Sequence, residues 1–152
     1  MNTSIERIIT AIKDLEQNLG VISTVGANGK PESAVVYFSC DENLDLYFTT
    51  RNSSRKYKNL LTNPAIAFVI YSDVQKKTIQ IEGKAETITN THDQGALFAD
   101  LISLATKNNP TPPIDQLGES EIMFIRITVT WARISNFEVA RNGEIFEEVT
   151  LQ

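Results

Sequence analysis

Three runs of strand-forming residues fall between positions 21 and 50, and the turns between them are too short for a crossover. Residues 21–25 make the first run. Gly26-Ala27-Asn28-Gly29-Lys30-Pro31 is a turn cluster after it. Residues 32–39 follow, where Ala34, Val35, Val36, Tyr37 and Phe38 give high β propensity. After Asp41-Glu42-Asn43, residues 44–50 set Leu44, Leu46 and Phe48 against Asp45, Tyr47 and Thr49. Parallel neighbours need a connection of about a dozen residues or more, so these runs form an antiparallel meander.

The rest of the chain adds strands and three helices. Ile5, Ile8, Ile9, Ile12, Leu15 and Leu19 recur at helical spacing, with Thr3 or Ser4 placed to cap and Gly20 to close. A short helix runs to Leu61 from a cap at Ser53 or Ser54, and Asn63-Pro64 stops it. Residues 65–71 and 77–88 read as strands, with Gly83 marking a bulge or bend in the second. Residues 91–107 form a helix, and residues 107–120, with three prolines, a surface loop. Strands are expected at 122–129 and 132–139, and Arg141-Asn142-Gly143-Glu144 turns a hairpin into residues 145–151. Adjacent strands in runs argue for an α+β, mostly β architecture, or a barrel with helices at its ends, in one domain spanning 1–152.

Charge and composition remove whole classes of function. Fourteen basic against nineteen acidic side chains give a net charge of −5, the wrong sign for a general nucleic-acid binder. One cysteine, Cys40, and one histidine, His92, permit no intrachain disulfide and no Cys/His metal set. No apolar run approaches the ~18–20 residues of a membrane span, and a cytoplasmic setting is expected. Within this acidic chain, Arg51, Arg55, Lys56 and Lys58 fall close together, and residues 49–64 contain no acid. A charge run is often only a solvated helix face. Here it sits at a strand-to-helix junction, where free backbone N–H groups and the helix dipole favour an anion. Ser54 adds a hydroxyl, Arg55 a fork for two phosphate oxygens, Lys56 a point charge, and Thr49 and Thr50 lie at the strand end.

The ordered pieces Gly20-Val21-Ile22-Ser23-Thr24-Val25, Asn28-Gly29-Lys30-Pro31, Val35-Val36-Tyr37-Phe38, Leu46-Tyr47-Phe48-Thr49-Thr50, Ser54-Arg55-Lys56 and Leu60-x-x-Asn63-Pro64 resemble the pyridoxamine 5′-phosphate oxidase-like split barrels. The resemblance covers roughly residues 17–90. It implies a six-stranded antiparallel Greek-key barrel with flanking helices, a homodimer, and FMN in a groove between subunits. Carried onto this sequence, Arg55 and Lys56 would hold the FMN phosphate with Ser54 beside them. Thr49 and Thr50 would touch phosphate, ribityl or ring edge. Val35, Val36 and Tyr37 would run along the isoalloxazine with backbone hydrogen bonds to it. Thr78 or Gln80, on one face of their strand, would approach the flavin, and Trp131 would stack near it from the partner chain.

The resemblance to the vitamin B6 oxidases themselves breaks down towards the C-terminus. Glu144, Glu147 and Glu148 would repel a substrate phosphate, so vitamin B6 phosphate oxidase activity is not expected. The expectation is an FMN-dependent oxidoreductase acting on a small molecule. A non-catalytic flavin carrier or sensor, or a deazaflavin-dependent reductase, are the alternatives. Several residues also have plainer roles: a strand Trp131 in core or interface, a Tyr37 hydroxyl at the surface, Cys40 as a small filler.

Overall fold

The computed structural model describes residues 3–105, 121–137 and 146–151. Helix α1 (Thr3–Lys13) precedes strands β1 (Leu19–Val25), β2 (Pro31–Cys40) and β3 (Leu46–Arg51). Helix α2 (Arg55–Thr62), β4 (Ala65–Ser72), β5 (Lys77–Thr87), α3 (Thr91–Ala105), β6 (Ile122–Asn136) and β7 (Phe146–Thr150) follow. The sheet order is β3-β2-β1-β4-β5-β6-β7, all pairings are antiparallel, and β3 also pairs with β6. That last pairing closes six strands into a barrel, and β4 returning beside β1 makes the Greek key. The strand β7 lies outside the closed ring, along the later half of β6.

Period-two alternation decides what fills the barrel. Ile22, Phe38, Leu46, Phe48, Ile70, Ile79, Ile81, Ile125 and Ile127 are fully buried, and the apolar stripe of α1, Ile8 and Ile12, closes over them. Gly20 belongs to this packing. A β-carbon there would sit 2.2 Å from Cε1 of Phe68, whose ring packs edge-on against Phe38.

Three local expectations are corrected. The first helix ends at Lys13 instead of running to Gly20, because Leu19 and Gly20 are committed to β1, opposite Tyr37 and Val36. The two strands expected after position 121 are one continuous β6. The bulge falls where Gly83 pairs with Val129 and Glu82 with Trp131, leaving Thr130 extra. Gly83 is required there, since a β-carbon would meet the Thr128 carbonyl oxygen at 2.5 Å. Leu44 precedes β3 instead of starting it, with φ +71 and a fully buried side chain. Asp41 holds that turn, its Oδ1 accepting from the Asn43 and Asp45 N–H groups. The 107–120 loop and the hairpin at 141–144 lie outside the described residues.

Candidate cofactor site

The junction between β3 and α2 is built by Ser54. Its extended backbone ends the strand-side turn, and its Oγ accepts from the Tyr57 N–H at 3.2 Å, which caps α2. The Thr50 hydroxyl lies 2.8 Å from the same Oγ, so Thr50 and Ser54 lock strand end and helix start together. The first intrahelical bond runs from the Lys58 N–H to the Ser54 carbonyl. The N–H groups of Arg55 and Lys56 precede it and face out of the helix end. Thr50 is buried, and Thr49 half-buried beside it.

Two cations flank this end and differ in environment. The exposed Arg55 guanidinium lies 3.4 Å from Glu32, a residue the sequence did not single out. Glu32 also accepts from the Asn59 amide at 2.7 Å, and that amide donates to Thr24 Oγ1. Glu32 thus ties β2 to α2. Lys56 is half-buried, and among the described residues it has no ion-pair partner. Burial pushes its ammonium below the ordinary lysine range.

The ladder between β2 and β3 ends beside this junction. Phe38 N–H donates to the Asn18 carbonyl and Gly26 N–H to that of Lys30, so the even-numbered residues of β2 bond to β1. The residues between them turn their N–H and C=O groups the other way. On that edge β3 pairs only with Phe38, Ser39 and Cys40, while its other edge follows β6 from Leu46 to Arg51. The Tyr37 carbonyl flanks the Phe38–Phe48 pair and belongs to that ladder, but the Tyr37 N–H and the backbone groups of Val35 point at an edge that no strand of the described residues covers. Val36 is different. Its side chain is in the core, and its backbone faces Gly20 of β1.

The remaining expected residues lie elsewhere on the barrel. Lateral registers place Val35, Val21, Val69, Gln80, Arg133 and Glu148 in one row across the outer face. The next row runs Ser33, Ser23, Ala67, Glu82, Trp131 and Thr150. Thr78 pairs with Tyr71 on the same face. Gln80 is thus three strands from Val35, roughly 14 Å at 4.8 Å per strand. A shallow depression of about 250 Å³ lies here, lined by Val21, Ala67, Val69, Gln80, Glu82 and Trp131 among others. The structure brings Thr49, Thr50, Ser54, Arg55 and Lys56 together, with the Val35–Tyr37 edge alongside. It sets Thr78, Gln80 and Trp131 apart from them within one chain.

Other polar groups carry structure. The Tyr47 hydroxyl donates to Asp41 Oδ2 at 2.8 Å, and burial with that bond pushes its phenol up to about 12. Burial and the Asp41 charge push the Cys40 thiol to about 12, which fits a filler and not a nucleophile. Among the described residues no three His, Cys, Asp or Glu side chains converge as a metal site, and no helix is long and apolar enough to cross a membrane.

Comparison with known proteins agrees with this geometry. The family Pyridoxamine 5′-phosphate oxidase matches residues 8–136. A pyridoxine/pyridoxamine 5′-phosphate oxidase of Burkholderia vietnamiensis is 32% identical over 89 residues, 59% of this chain and 41% of that protein. The match thus spans about two fifths of the relative's length. A pyridoxamine 5′-phosphate oxidase-related, FMN-binding protein of Nostoc punctiforme superposes with TM-score 0.69 over 100% of this chain and 98% of that one, at 15% identity. An F420 reductase superposes with TM-score 0.63 over 80% and 94% of the two chains, at 23% identity. With the match covering most of the chain and the split barrel present, this chain belongs to the pyridoxamine 5′-phosphate oxidase family.

Proposed function

We propose that this protein binds FMN and acts as a flavin-dependent oxidoreductase on a small molecule. The observation that carries this reading is the junction of β3 and α2: Ser54 caps the helix with Thr50 bonded to it, Arg55 and a half-buried Lys56 follow in the first turn, and the open edge of β2 runs beside them. These donors suit a phosphate dianion, and the edge of Val35 and Tyr37 suits the polar rim of a flat ring. Bound flavin would supply hydride or electron transfer, so no protein nucleophile is needed. In this reading Arg55 leaves Glu32 for phosphate, Lys56 gives the phosphate a short-range charge, and Thr49 lies towards the ribityl chain.

Gln80, Thr78 and Trp131 lie too far across the face to reach the same ring from one chain. A second copy resolves this, with the outer face of one protomer against the β2 edge of its partner. The outer face suits such a contact, because Val35, Val69 and Tyr71 are all exposed on it.

The test is titration of the full chain with FMN, followed by flavin fluorescence quenching, for the wild type and for Arg55→Ala with Lys56→Ala. Each charge-assisted contact contributes about 1.5–3 kcal/mol, so the double variant should lose at least about a hundredfold in affinity. A loss below threefold with the fold intact overturns the phosphate assignment. The likeness to an F420 reductase makes a deazaflavin the comparison ligand, and tighter binding of it than of FMN overturns FMN as the cofactor. Stopped-flow reduction by NADPH or NADH then separates an oxidoreductase from a flavin carrier or sensor, which neither nucleotide reduces.

A further inference from the structure

We propose that Arg133, on the outer face of β6, recognises the carboxylate of a planar, one-ring aromatic substrate. The inference rests on the flavin reading for its catalytic meaning, since it places that substrate beside Gln80 and Trp131. Its physical basis is independent of the flavin.

The Arg133 guanidinium lies over two rings, 5.3 Å from the Trp131 centroid and 4.6 Å from that of Phe146. Stacked against ring faces, the group makes its in-plane hydrogen bonds along its edge. On that edge Nη2 donates to Glu148, the residue opposite Arg133 on β7. The neighbouring Nε is buried and, among the described residues, has no acceptor. A carboxylate bound side-on to arginine takes Nε and Nη2 together. Glu148, tethered to β7, fills one of these donors and leaves the other unsatisfied. A free carboxylate replacing it would satisfy both. Glu148 therefore stands where a substrate carboxylate belongs and competes with it.

The surroundings select the rest of the ligand. Gln80 is Arg133's neighbour in the row, and Trp131 lies one row away, against the depression floored by Val21, Ala67 and Val69. That depression, about 250 Å³, is smaller than the roughly 300–1,000 Å³ of sites for drug-sized ligands, which suits one ring. Glu82 and Glu148 on the same face oppose a phosphate dianion more strongly than a single carboxylate.

Trp131 is the sole tryptophan of the chain, so its fluorescence reports on Arg133 directly. The full chain, with and without saturating FMN, is titrated with benzoate and with neutral benzamide. In Glu148→Gln, benzoate should bind at least tenfold tighter than in wild type, with benzamide unchanged. Adding Arg133→Lys, which keeps the charge and removes the fork, should abolish that gain while circular dichroism stays native. Equal affinity for benzoate and benzamide, or no gain in Glu148→Gln, overturns the proposal. Failure to bind FMN with the benzoate response intact removes the flavin reading alone. Normal FMN binding without that response removes this inference alone.

Discussion

At the scale of single residues, the chain shows how much one missing methyl group can decide. Gly20 leaves the space that the Phe68 ring fills, and that ring is itself fixed against Phe38. Gly20→Ala should destabilise the fold by about 1–3 kcal/mol, the usual cost of overpacking a core. Urea unfolding would show this as a lower midpoint at constant slope, and an unchanged midpoint would show that Phe68 can shift at no cost. Lys56 gives a second residue-scale prediction. Its folded pKa lies below the ordinary lysine value, so the unfolded chain binds the proton more tightly. Without ligand, stability therefore rises with pH between the lowered value and the ordinary one, near 10.4. FMN affinity runs the other way, because the phosphate needs the protonated ammonium. It should start to fall at a pH below the ordinary lysine range, and Lys56→Arg should flatten that fall in a pH series of FMN titrations.

At the scale of elements, the junction of β3 and α2 was legible before the fold was known. A cap at Ser53 or Ser54, of which the structure uses Ser54, Asn63-Pro64 as stop and the acid-free stretch between 49 and 64 are local signals, and a helix cap is a local structure. The Gly83 bulge was legible for the same reason, since a glycine inside a strand pattern marks a close backbone approach. The end of α1 was not. Leu15 and Leu19 continue the helical spacing, and only the pairing of Leu19 with Tyr37 shows that β1 takes the latter. The partner of Arg55 was hidden too. Glu32 is 23 residues away and meets Arg55 only because β2 passes over α2. No spacing rule reports a contact of that range.

At the scale of the whole molecule, the outer face sets the oligomeric prediction. Val69 is 37% exposed at the centre of the row from Val35 to Glu148, and its side chain does not enter the core. Val69→Glu should therefore leave the barrel folded and convert a dimer into a single-chain species by light scattering, with weaker FMN binding. A wild type that is a single chain when saturated with FMN would overturn the shared site. The sequence by itself determined the antiparallel strands, the helices between them and the basic junction, because alternation, turn chemistry and capping act over a few residues; the closed barrel it implied only through its family resemblance. It also assembled the candidate residues without saying that they form two groups. Only the tertiary structure decided that division. β3 closes onto β6 along its whole length but pairs with β2 only as far as Phe38, which leaves the edge at Val35 open, sets Gln80 three strands from it and puts Trp131 on the half of β6 beyond the β3 pairing. Strand order and the stacking of Arg133 over Trp131 and Phe146 are long-range pairings. They follow from how the whole core closes, which no local pattern encodes.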